Sequence, residues 1–295
     1  MLLLAMASPE LDILGITTVA GNVPLPLTQR NARIMVDLAG RGDIPVFAGS
    51  DRPLRRPLVT AEMVHGKTGI DGAPIATPRT PLQDQHAVDF MIETLLRSEP
   101  DSVTLVPTGP LTNIAMALQR EPAILPHIRR IVLMGGALRE GGNTTTSAEF
   151  NMFVDPDAAQ AVMHCGRPLT IVPLDVSHQA LVSQSCLERL RALDSDVAQA
   201  TVAMLEFFNR FDSHKYGTEG APLHDPCTIA WLLQPGLFKG KVCNVEIETE
   251  STLTLGHTAV DFWHVTDRPH NAEWLYFIDA EGFFDLLIKR LARYG

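Results

Sequence analysis

The chain has 295 residues, 45% of them hydrophobic and 20% charged, with a formal net charge of −10. That is long enough to bury a core without disulfides or metal staples, and no apolar run reaches the roughly 18 residues that a membrane span needs. A net negative chain without a Lys/Arg stripe argues against nucleic acid and anionic membrane as partners, since both need a basic footprint.

The opening MLLLAMAS is short and apolar and lacks the basic flank of a secretory signal. Residues 1–8 read instead as a helix, yet no capping residue precedes them and no strand opens the chain. An α/β sheet normally starts on a strand, and a helix start wants Ser, Thr, Asp or Asn. The expectation is that a first strand and its loop are missing. Then come short aliphatic runs, LDILGITTVAG, DIPVFAG, SVTLVPTG, IRRIVLMGG and PLTIVPLD. Their continuity predicts strands covered on both faces by helices. Between them lie the helical stretches LTQRNARIMVDLAGR, AVDFMIETLLRSEP, LTNIAMALQREP and DPDAAQAVMHCGR. This alternation predicts βαβ units in an open, mostly parallel sheet flanked by helices, an α/β fold forming one domain over 1–295. Beyond Ser177, LERLRALDSDVAQATVAMLEFFNRF reads as a long helical insertion, STLTLG as a short strand and EGFFDLLIKRLARYG as a terminal amphipathic helix. Cys165, Cys186, Cys227 and Cys243 show no metal-like spacing and read as reduced thiols of a cytoplasmic protein.

Parallel sheets bind ligands at the carboxyl ends of their strands. Taken in order, those ends are Asn22, Thr108, Met134-Gly135-Gly136 and Asp175, joined by Asn143, Glu149 and Asn151 from GGNTTTSAEFN and by His224-Asp225 in PLHDPC. Each has a plain structural alternative: Asn22 or Asp225 as a helix cap, Asn143 as a turn residue, His224 and His65 as capping or core histidines. Together, carboxylates, amides and histidines suit a polyhydroxylated ligand.

The segments GITTVAGN, VHGKTGIDG, PTGPLTNIA, VLMGGA, AEFNMFVDPDAA and HDPC resemble, in order and spacing, the motifs of inosine–uridine-type nucleoside hydrolases. The resemblance implies hydrolysis of the N-glycosidic bond of ribonucleosides by a calcium-bound water, in a homodimer or homotetramer. It implies Thr108 and Asp225 as calcium ligands, with Asp225 also at the substrate. Asn22, Met134, Asn143, Glu149 and Asn151 would hold the ribose, His65 and His224 would face the base, and His224 would donate a proton to it. Histidine suits an acid because its ordinary pKa of about 6.5 allows both protonation states near neutrality. The family's N-terminal D-x-D-x-x-x-D-D motif is absent, and MLLLAMASPE matches the helix that follows it. With so few ligands, calcium should be weakened or lost. An inactive nucleoside-binding relative is therefore the alternative to an active hydrolase whose start was misplaced. A dinucleotide-binding oxidoreductase lacks its G-x-G-x-x-G, and a serine hydrolase its G-x-S-x-G. Purine or pyrimidine preference stays open, with Phe208, Phe211, His214 and Tyr216 as unranked stacking candidates.

Overall fold

The computed structural model describes residues 1–73, 76–216 and 220–295, without the side chains of 211–216. The chain runs α1 (Leu2–Met6), β1 (Ile16–Thr18), α2 (Leu25–Leu38), β2 (Val46–Ala48), α3 (Glu62–His65), β3 (Leu82–Gln83) and α4 (Ala87–Arg97). Next come β4 (Val103–Leu105), α5 (Thr112–Arg120), β5 (Ile128–Met134), α6 (Phe150–Val154), α7 (Pro156–Met163), β6 (Leu169–Val172) and α8 (Leu174–Ser177). The last third holds α9 (Gln184–Arg191), α10 (Asp196–Tyr216), α11 (Pro226–Leu233), β7 (Phe238–Cys243), β8 (Val245–Ile247), β9 (Thr258–Val260), β10 (Ala272–Ile278) and α12 (Ala280–Leu291).

The parallel, helix-flanked architecture is present, but its parallel strands are divided between two sheets, and β8 and β9 form a separate antiparallel pair. One has the order β1-β2-β3 and is parallel throughout. The other, β4-β5-β6-β10-β7, is parallel except for the edge strand β7. One core joins α1, α2, α11 and α12; the other packs α4, α5 and α7 on the opposite face, around Trp274 and the aliphatic rows of β5 and β6. Side-chain caps start several helices: His86 accepts from Val88 N, Asp155 from Ala158 N and Asp279 from Gly282 N. The α1 helix has no side-chain cap, as its sequence implied.

Four sequence expectations need correction. LDILG is irregular, and the strand begins only at Ile16. SVTLVPTG does form a strand, but Val103, Thr104 and Leu105 are half-buried, because β4 pairs on one edge only, with β5. STLTLG is a turn: Glu248 accepts from Glu250 N and Ser251 N, and Ser251 Oγ accepts from Leu253 N and Thr254 N. The helical insertion breaks in two at Asp194, whose φ is 48°, and Ser195 Oγ accepts Ala198 N in the first turn of α10. All four cysteines are free thiols. No helix among the described residues is long and apolar enough to cross a membrane.

Candidate active site

A cavity of about 1400 Å³ opens at the carboxyl ends of β1 and β4, and Asn22, Thr108, Asn151 and Asp225 line it. Asn22 is exposed in the loop after β1, where its carbonyl accepts from Ala61 N. It caps nothing, because α2 starts from Pro24. Asp225 stands at the start of α11, yet its side chain makes no capping bond. The carboxylate is turned instead to the Thr108 side chain, which hydrogen-bonds to it. Burial pushes Asp225 up to about 6, while the Met1 amino group and the Thr108 bond draw it back. A carboxylate held half-desolvated and spared from capping is a group kept for a ligand.

A second cluster grows from the turn after β5; of its members Asn151 lines the cavity, while Met134, Asn143 and Glu149 do not. Gly136 adopts φ 80°, a conformation open to glycine at little cost, and its N–H reaches Glu149 Oε2 at 3.1 Å. Glu149 also caps α6, accepting from Asn151 N at 3.0 Å and Met152 N at 3.3 Å, and is 2% exposed. Burial raises its pKa to about 7 against these three N–H donors. Asn151 Nδ2 donates to the Met134 carbonyl at 3.1 Å and lies 3.5 Å from its sulfur. Asn143 Oδ1 accepts from Phe150 N at 2.9 Å, tying the glycine-rich loop to α6. Asp175, also at a strand end, accepts from Leu138 N and Arg139 N at 2.7 and 2.6 Å, so it braces this loop.

An aromatic group lies beside Asp225, and His65, Phe208 and His224 are not among the residues lining the cavity. The His65 ring stacks on Phe208 at 5.5 Å and 10°, and Phe208 meets His224 edge-on at 6.3 Å. The side chains of Phe211, His214 and Tyr216 lie outside the described residues. His224 Nδ1 is 2.7 Å from Ser177 Oγ, and its ring lies 5.8 Å from His178, which reaches Glu140 at 2.8 Å. Burial lowers His65 to about 4. Burial, with His178 and His65 nearby, lowers His224 to about 3. The expectation of a histidine poised between two states is thus corrected: with no ligand, His224 is a neutral imidazole at pH 7. Ser177 and His178 were not singled out from sequence. The SHQ triplet follows the strand-end Asp175 by two residues, and that position was the available signal.

Among the described residues, no three of His, Cys, Asp and Glu converge to hold a metal. Thr108 and Asp225 offer a carboxylate and one threonine where calcium takes six to eight oxygens. By themselves the described residues do not fit a calcium ion.

The family model described as "Inosine-uridine preferring nucleoside hydrolase" matches residues 1–285. The chain belongs to that family. This nucleoside hydrolase is 48% identical to the pyrimidine-specific ribonucleoside hydrolase RihA of Photobacterium profundum, over 99% of the chain and 94% of the relative. It is 49% identical to the enzyme of the same description from a Shewanella species, over 99% and 92%. Among solved structures, a purine-preferring ribonucleoside hydrolase from Gardnerella vaginalis superposes with TM-score 0.92 at 31% identity, over 99% of this chain and 93% of that one. A plant nucleoside hydrolase gives TM-score 0.92 at 30% identity, over 98% and 93%.

Proposed function

We propose that this nucleoside hydrolase acts on pyrimidine ribonucleosides, adding water across the N-glycosidic bond to give ribose and free base. The preference rests on the Photobacterium and Shewanella relatives near half identity, both described as pyrimidine-specific. The observation that carries the site is Asp225, freed from capping and held by Thr108 at the cavity floor.

In this reading Asn22, Asn151 and Asp225 meet the ribose hydroxyls, and Met134 packs beneath the ring. Glu149 and Asn143 hold the wall that positions Asn151, through the N–H groups of Asn151 and Phe150. Fixing the sugar aligns its anomeric carbon for attack, a positioning effect that can supply several kcal/mol. The base lies against the contiguous His65–Phe208–His224 rings. The Ser177 hydroxyl has two acceptors, His224 Nδ1 at 2.7 Å and the Pro173 carbonyl at 3.4 Å. Donation to the nearer one leaves the imidazole proton on Nε2. From there a neutral imidazole N–H stabilises charge developing on the departing base as the glycosidic bond lengthens.

A second reading, nucleoside binding without turnover, is favoured by the lack of a metal-holding cluster among the described residues. One experiment separates the two: ribose release from uridine and inosine, with calcium and with chelator, beside calorimetric binding of uridine. Release that is faster from uridine supports hydrolysis, and its calcium dependence would require oxygen donors besides Thr108 and Asp225. Binding without release supports the second reading, and absence of both refutes the site.

A further inference from the structure

Two hydrogen bonds fix where the segment carrying His65 lies. Ahead of α3, Ala61 N donates to the Asn22 carbonyl at 2.8 Å. Past α3, the Thr68 carbonyl accepts from Asn31 Nδ2 at 2.7 Å. His65 sits between these two ties, with its ring stacked on Phe208. Asn22 stands just ahead of α2 and Asn31 in its middle, so both ties lead back to one short piece of chain.

Asn31 is costly where it stands. Asparagine is a weak helix former, and burying its amide is unfavourable unless both ends find partners. Here the residue is 8% exposed, and its oxygen accepts from Arg30 Nη2 at 3.3 Å. The loop does not need Asn31 to keep its shape. Asp71 closes it from within, accepting from Lys67 N at 3.2 Å, Thr68 N at 3.1 Å and the Thr68 hydroxyl. What the Asn31 bond adds is position. Gly69 shows how closely the loop is drawn against α2: its φ is 80°, and a Cβ there would stand 2.9 Å from Val23 Cγ2 and 3.1 Å from Asn31 Nδ2. Gly69 and Ile70 line the cavity together with Asn22, Val23 and Asn31, so the tie is made at the cavity itself.

We propose that Asn31 is a positioning residue for base recognition: by holding Thr68 it sets the place of the His65 ring relative to Asn22. This rests on the proposed role of His65 against the base. It gives Asn31 no contact with the reacting atoms. A base contact made alike in ground and transition states changes KM and leaves kcat, so the effect of Asn31 falls on binding.

Two variants test it. Asn31→Asp keeps the shape but sets an acceptor against the Thr68 carbonyl, and Asn31→Leu keeps the bulk without either polar end. Each should raise KM for uridine, and its calorimetric Kd, by about three- to tenfold, the worth of one hydrogen bond. The value of kcat should stay within about twofold. Labelling by diethyl pyrocarbonate, read at each histidine by mass spectrometry, should quicken at His65 by about threefold or more. It should not change at His127 or His164. In a His65→Ala background the same variants should shift Kd by less than about twofold, because the ring they misplace is gone. A merely structural Asn31 would weaken binding equally in both backgrounds and would not single out His65. Unchanged His65 labelling, or equal loss of affinity in the two backgrounds, overturns the proposal alone. Absence of uridine binding by the unaltered protein refutes the nucleoside reading, and the proposal with it.

Discussion

Asp225→Asn should make the ligand-free protein more stable while removing its activity. The carboxyl has an ordinary pKa of 3.8, raised to about 6 chiefly by burial. At 1.36 kcal/mol per unit, that shift corresponds to about 3 kcal/mol against the ionised form. The residue is only half-buried and lines an open cavity, so roughly 1 to 2 kcal/mol is the expected gain for an uncharged isostere. The sign follows from proton counting. Between pH 3.8 and 6 the folded protein keeps a proton that the unfolded chain has released, so stability falls as pH rises through that window. The penalty is complete above pH 6 and absent below 3.8. Urea unfolding of both proteins from pH 4.5 to 7.5 should therefore show curves that diverge with rising pH and run parallel above about pH 6. Ribose release by the variant should be abolished at every pH. An asparagine protein less stable at pH 7.5, or a difference that ignores pH, would mean that Asp225 is a structural anchor.

Three further outcomes follow from the same geometry. His224→Ala should slow uridine hydrolysis by about 10²- to 10⁴-fold, with much less effect on a riboside bearing a good leaving group; equal losses in kcat/KM would remove the donor role. His65 is held neutral with a pKa of about 4, so folding loses stability as pH falls from 6.5 toward 4. His65→Gln should flatten that part of the urea-midpoint profile and raise KM for uridine, and an unchanged profile would contradict the burial argument. Asp155 accepts from Leu54 N, Thr112 Oγ1 and Ala158 N, all around a side chain that water barely reaches. Asp155→Ala strands three donors and should cost about 3 kcal/mol or more by urea unfolding; a loss below about 1 kcal/mol would show that water or a neighbour replaces the carboxylate.

Sequence and structure agree where one pattern has one physical cause. The aliphatic runs of β5 and β6 are strands because both faces are covered by helices, and continuous apolarity has few other outcomes there. Residues 238–243 and 272–278 were not read as strands. FKGKVC lies at an edge with Lys239 facing water and Lys241 laid over the Phe262 ring, and AEWLYFI mixes buried Trp274 and Leu275 with half-buried Glu273 and Tyr276 and an exposed Phe277. STLTLG has strand-forming residues, but Ser251 and Glu248 capture its backbone N–H groups locally and hold a turn. At the site, HDPC marked His224 and Asp225, and strand ends marked Asn22 and Thr108. The neutral state of His224 was not legible, because it arises from burial and from His65 and His178, which are remote in the chain. Nor was the tie of Glu149 to Gly136, which depends on how the β5 turn closes.

Asn113, at the start of α5, donates to the Thr18 carbonyl at 2.9 Å and accepts from Ser50 N at 2.9 Å. It thereby rivets the β1–β3 sheet to the element that follows β4, at the carboxyl end, while the ladders themselves stay apart. Two leaves fastened near one end need not melt together. The smaller leaf has short strands and few ladder bonds, so its amides should exchange through a partial opening that costs less than global unfolding. That opening would dismantle the Asn22 wall while leaving Glu149, Asn151 and Met134 in place on the larger leaf. The protein would then lose its grip on a nucleoside before it loses its fold.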